Sequence, residues 1–161
     1  MQKNEVMNDF KKLCKIPHCS CETEQMREFL ADFARCLGFS VSVDEAGNIH
    51  AVKGEPKICL QSHYDMVCVG AAPNLELIEE DGILRAKNSS LGADDGIGVA
   101  MMMGAMREFA NLECLFTNDE EVGLVGANAF KGKILSPNLL NLGSEEDDRV
   151  TLGCAGGINV S

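Results

Sequence analysis

The sequence predicts an α/β domain of three layers, α/β/α, around a mixed and mostly parallel sheet. Three observations lead there. Short apolar runs alternate with segments of helical periodicity, turn-forming Gly, Asn and Asp sit between them, and 45% apolar with 24% charged residues in 161 supply an ordinary globular core. Taken in chain order, residues 5–14 form a first helix that ends near Ile16-Pro17, because proline disfavours helical geometry in the residue before it. A second helix carries Met26, Phe29, Leu30, Phe33 and Leu37 on one face, with Ser20 or Thr23 as its cap and Gly38 as its stop. Segments 40–43 and 49–52 flank a Gly-Asn turn and make a hairpin, 57–61 is a short buried strand, and 75–79 with 83–86 make a second hairpin around Asp81-Gly82. The two hairpins make the sheet mixed. A Gly-rich turn at 91–96 opens a helix over 97–109, whose Met101, Met102, Met103 and Met106 fill the core. Strand 111–116, a short helix over 124–131, and strands 139–142 and 150–152 complete the order.

Charge and composition narrow the function classes. The chain holds 14 Lys and Arg against 25 Asp and Glu, a formal −11, which repels nucleic-acid backbones and anionic lipid and favours cations. The polar start and the lack of an 18-residue apolar run predict neither export nor a membrane span, hence a cytoplasmic protein. The eight cysteines are then expected as reduced, structural thiols, and His18-Cys19-Ser20-Cys21, with no second pair at finger spacing, as a loop before a helix.

Active sites in such sheets gather past the carboxyl ends of strands. His63 and Asp65 follow one strand, on one side of an extended chain, where the carboxylate can fix the imidazole tautomer. Asp94 and Asp95 follow the Gly-rich turn, and Asp119, Glu120 and Glu121 follow the 111–116 strand. One His and several carboxylates are the ligand types of a two-metal hydrolytic site. Asp95 and Asp119 read as helpers near helix ends, and His50, with no acid nearby in sequence, as structural.

LQSHYDMV (60–67), SSLGADDGIGVA (89–100), LFTNDEEVGLVGA (115–127) and LLNLGSEEDDRVTLGCAGG (139–157) together resemble the co-catalytic zinc metallopeptidases, in particular their non-specific, aminoacyl-histidine dipeptidase branch. The resemblance implies a metal-dependent hydrolase of dipeptides with zinc at two sites, cobalt or manganese being alternatives. It implies His63 and Glu121 as terminal ligands of different metals, Asp94 as the bridge, Asp65 as the orienter of His63, Glu120 as general base, and a cis Asp94–Asp95 peptide. Cys68 falls near enough to the metals for thiol reagents to matter.

The chain departs from the family pattern in two places. Gly143 stands where the family has a ligand Asp, with Glu145 as a nearby substitute, and residues 1–161 match the N-terminal part of the catalytic domain, without the lid or dimerisation domain and the return segment that brings a final His. Both metal sites are therefore expected to be incomplete and activity low. An N-acyl-amino-acid deacylase using the same metals, and a non-catalytic remnant acting through self-association or a complementing C-terminal polypeptide, are the alternatives.

Overall fold

The computed structural model describes residues 3–143. The expected strand 150–152 and Glu145, with the acidic run around it, lie outside them. The elements are α1 (Lys3–Leu13), α2 (Glu24–Cys36), β1 (Ser40–Val43), β2 (Ile49–Lys53), β3 (Cys59–His63), β4 (Leu77–Glu80), β5 (Ile83–Ala86), α3 (Ala93–Glu108), β6 (Leu112–Thr117), α4 (Val125–Ala129) and β7 (Leu139–Asn141).

Among the described residues, five strands form one sheet in the order β1-β2-β6-β3-β7. The β1–β2 and β2–β6 ladders are antiparallel, and β6–β3 and β3–β7 are parallel. The α/β class and the mixed sheet are as expected, but the source of the mixing differs. Only the first hairpin belongs to this sheet, whereas β4 and β5 pair with each other as a separate two-stranded ribbon. Hairpin signals fix which strands pair locally and carry no information on which sheet edge they join.

Alternation along the strands sorts the two faces. Ile49 and Ala51 of β2 and Leu112, Cys114 and Phe116 of β6 point into one core with residues of α1, α2 and α3. Of the four methionines expected in the core, Met102, Met103 and Met106 are each 1% exposed or less, whereas Met101 is only partly buried. The opposite face carries Glu113, Leu115 and Thr117, which are buried as well, beneath α4 and the 130–136 segment. Glu113 anchors that segment: its carboxylate accepts from the backbone N–H of Leu135 and Ser136 and pairs with His50 Nε2 at 2.6 Å. His50 thus has an acid partner, contributed by a strand 63 residues away.

The region before α2 departs most from expectation. Thr23 stands at the N-cap position, one of the two residues expected there, but its side chain makes no capping hydrogen bond. Thr23 donates instead to Asn118 Oδ1, and Ser20 to Asp65 Oδ2. Cys19 and Cys68 form a disulfide, correcting the expectation of thiols throughout. The cause is a long-range pairing: residues 18–20 run beside Met66, with Met66 N–H donating to His18 O and Ser20 N–H to Met66 O. That brings together two cysteines 49 residues apart. Cys14, Cys59 and Cys114 are buried thiols, as foreseen.

Candidate metal centre

The C-terminal ends of β3 and β6 lie side by side in parallel, His63 opposite Thr117, so the loops leaving the two strands arrive at one edge. His63 is the last residue of β3, two positions beyond the expected strand end. The chain leaving β6 turns at Asp119, which holds a positive φ of 51°, a conformation that Asp adopts more readily than most residues. The turn presents Glu120 and Glu121. Gly92, at φ 70°, faces the sulfur of Met66, where a Cβ would sit 2.9 Å away. This close approach seats the start of α3, and there the Asp94–Asp95 peptide is cis.

Donor atoms of His63, Glu120 and Glu121 all lie within 4.8 Å of one another, a group able to hold a metal ion. Asp94 Oδ1 approaches His63 Nε2 at 3.2 Å, and Glu120 Oε2 lies 4.0 Å from the same nitrogen. The structure therefore brings together the five residues singled out from sequence, Asp65 through the backbone of Glu120 and Glu121.

Asp65 is the hub. It is 1% exposed and accepts from Glu120 N–H at 2.9 Å, Glu121 N–H at 3.3 Å and the Ser20 hydroxyl at 2.8 Å. His63 Nδ1 is nearer to the Asp65 carbonyl oxygen, at 3.1 Å, than to its carboxylate, at 3.5 Å. The carbonyl can only accept, so Nδ1 carries the proton and Nε2 faces the acids. The Asp65 carboxylate stays within 3.5 Å of the same nitrogen while it fixes the Glu120–Glu121 backbone.

Neighbouring charges shape the site. Burial opposes the His63 imidazolium, but Asp65, Asp95 and Glu120 outweigh it and raise the group to about 9. Burial raises Glu121, and the carboxylates of Asp94, Glu120 and Asp65 add to the rise. The His63 shift reports a surplus of negative charge around it, and the Glu121 shift reports burial first. Asp95, expected as a helper near a helix end, is buried, accepts from the Ser62 hydroxyl at 2.6 Å and Gly98 N–H at 3.1 Å, and ties the start of α3 to β3. Asp119 accepts from Cys21 N–H at 2.6 Å.

A cleft of about 370 Å³ opens beside this group, lined by Gln61, His63, Asp94, Leu115, Thr117 and Glu120 from the sheet edge, by Leu124, Ala127 and Phe130 around α4, and by Leu139, Asn141 and Gly143. It lies within the size range of small-ligand sites. Sequence reasoning missed Ser20, Asn118 and the lining residues of α4. Asn118 accepts from Thr23 and donates to Ala46 O, joining the α2 start, the β1–β2 turn and the end of β6.

This architecture and these segments occur together in known proteins. The chain is 34% identical over 170 aligned residues to the cytosol non-specific dipeptidase of Escherichia coli strain K12, a match covering 93% of this chain and 35% of that protein. The aminoacylhistidine dipeptidase of Vibrio alginolyticus superposes with a TM-score of 0.82 at 29% identity, over 91% of this chain and 34% of that one. A tripeptidase of Staphylococcus aureus shares the fold, with a TM-score of 0.83 at 24% identity, over 91% of this chain and 45% of that one. The chain thus spans about a third of the length of the two dipeptidases. Residues 47–142, more than half of the chain, match the sequence model of Peptidase family M28, and the chain belongs to that family.

Proposed function

We propose that the chain carries the N-terminal part of a metal-dependent peptidase site that hydrolyses dipeptides, aminoacyl-histidine dipeptides among them, in the cytoplasm. The observation carrying this reading is the meeting of His63, Glu120 and Glu121 within 4.8 Å beside a cleft of about 370 Å³. The donor chemistry fits a divalent ion: one imidazole whose Nε2 faces the acids, with carboxylate oxygens in excess, is the set that zinc takes, and cobalt or manganese also accept it. His63, Asp94 and Glu121 would hold the ion, with Glu120 alongside as the base. Such an ion, when bound, supplies Lewis acidity and raises the acidity of water.

The protein's own residues supply the rest. Asp65 keeps the proton on His63 Nδ1 through its carbonyl and holds the Glu120 backbone in place through its carboxylate. Glu120 takes a proton from the water that attacks the scissile carbonyl and returns it to the leaving amine. Leu115, Phe130 and Leu139 give the cleft apolar walls, while Gln61, Thr117 and Asn141 give it a polar side.

Gly143 weakens the site. It lines the cleft without a side-chain donor, and a Cβ there would lie 3.3 Å from Asp95 Oδ2, close to the start of α3. Weak metal binding and low turnover follow, and the same glycine favours the second reading, a non-catalytic remnant that binds a cation or a partner. The test is a zinc titration of the chain and of Gly143→Asp, with hydrolysis of aminoacyl-histidine dipeptides compared against N-acyl-amino acids. Tighter binding in Gly143→Asp supports the reading, and dipeptide turnover above N-acyl turnover separates dipeptidase from deacylase. Two tight sites in the unaltered chain overturn the weakening, and no binding in either protein overturns the metal reading.

A further inference from the structure

The loop preceding α2 takes no part in the chemistry above, yet it holds the site from behind. Over four residues it makes three attachments. His18 and Ser20 exchange backbone hydrogen bonds with Met66, the Ser20 hydroxyl donates to Asp65, and Cys21 N–H donates to Asp119. Asp65 and Asp119 are the residues that position Glu120 and Glu121. The Cys19–Cys68 disulfide lies between these attachments and closes the loop covalently onto the segment that follows His63 and Asp65.

The bridge is also reachable. Cys19 and Cys68 are both partly exposed, and the flanking Val67 and Val69 are 47% and 60% exposed. The buried thiols differ: burial pushes Cys14 up to about 11 and Cys59 to about 12, so they stay protonated and inert.

We propose that the Cys19–Cys68 bridge is a redox-modification site: dithiol reductants open it, loosening the hold of Ser20 on Asp65 and lowering the cation affinity of the adjacent centre. A thiolate of the reductant attacks one bridge sulfur, forming a mixed disulfide and releasing the other cysteine as thiolate, which takes a proton. The second reductant thiolate then displaces the first cysteine. Two electrons pass to the bridge, yielding two cysteine thiols, and the reductant leaves as its disulfide. With the covalent closure gone, the loop keeps Ser20 beside Asp65 only through single hydrogen bonds, each of modest net strength. The statement about Asp65 stands on the hydrogen bonds alone; the statement about cation affinity rests on the metal reading proposed above.

The experiment measures amide exchange at Glu120 and Glu121 and the Mn²⁺ dissociation constant, on the full chain oxidised, on the chain reduced with dithiothreitol and then freed of it, on the double variant Cys19→Ser/Cys68→Ser, and on Ser20→Ala. Non-reducing peptide mapping accompanies it. The expected result is a Cys19–Cys68 linked peptide, faster exchange at both amides once the bridge is open, and Mn²⁺ binding weaker by about 10-fold, the lower end of what losing a group that orients metal ligands costs. Ser20→Ala is expected to behave as the reduced protein in either redox state. Absence of the linked peptide, or equal exchange in oxidised, reduced and double-variant protein, overturns the proposal. Exchange that responds to reduction while Mn²⁺ binds neither state upholds the latch and refutes the metal reading. Equal, measurable Mn²⁺ affinity with unchanged exchange does the reverse.

Discussion

Replacing Asp65 by asparagine removes one charge and turns one acceptor into a donor, and the structure says where the new amide must go. At the Oδ1 position it would face Glu120 N–H, donor against donor. At Oδ2 it faces the Ser20 hydroxyl, which can rotate to accept because Met66 O, 3.3 Å from Ser20 Oγ, is at hand to take its proton. Glu121 N–H then loses its acceptor. Two hydrogen bonds pass from charge-assisted to neutral and one is lost, each worth about 1 kcal/mol, partly offset by no longer burying a charge, so the net loss is about 2 kcal/mol. For a domain of this size that lowers Tm by about 4–8 °C. Asp65→Ala leaves the same donors without any acceptor and costs more, about 4 kcal/mol. The assay is urea unfolding with residue-resolved exchange. Exchange at Glu120 and Glu121 should accelerate in Asp65→Asn. A change in stability below about 0.5 kcal/mol, inside the range of ordinary surface substitutions, would refute the role of Asp65 as the hub.

Contacts outside the centre carry further expected outcomes. Asp9 is 2% exposed and bidentate with Arg107; burial raises its carboxyl, but Arg107 and Lys12 prevail and hold it below the ordinary value. Its contribution is complete above about pH 4 and is lost as the pH falls through the lower folded value, so urea midpoints should drop with acidification less steeply in Arg107→Met than in the parent. Since Arg107 is itself part exposed, that variant costs about 2 kcal/mol at neutral pH. In Gly126→Ala the new Cβ would sit 2.2 Å from the Asn118 carbonyl; α4 must back away, costing about 1–3 kcal/mol and widening the cleft, readable by urea unfolding and by exchange at Gly126 N–H, which now donates to Asn118 O. Glu113→Gln leaves one oxygen to serve His50, Leu135 and Ser136 and costs about 2 kcal/mol; exchange at the Leu135 and Ser136 amides should rise while that of Cys59, bonded to Asn138 O, stays slow.

What sequence could and could not convey divides along one physical line. Periodicity and turn chemistry are local, so the first hairpin, the buried methionine helix and the three segments carrying His63, Asp94 and Glu120 were legible from residues a few positions apart. Partners joined only by the fold were not. Ser20 has the side chain of a helix cap and precedes α2 by four residues, yet its hydroxyl serves a carboxylate 45 residues on. His50 reads as isolated until β2 pairs with β6 and brings Glu113 beside it. The disulfide belongs to the same class: nothing near Cys19 in sequence selects Cys68, and only the pairing of residues 18–20 with Met66 does. These long-range contacts converge on Asp65 and Glu113, two buried carboxylates that each satisfy several backbone amides. A buried carboxylate is costly unless its lone pairs are filled, so each one dictates the path of the loop that fills it: 120–121 for Asp65, 135–136 for Glu113. The first loop presents the donors of the candidate centre, and the second follows Phe130, part of the cleft wall. The sheet supplies the edge, and these two acids determine which side chains stand along it.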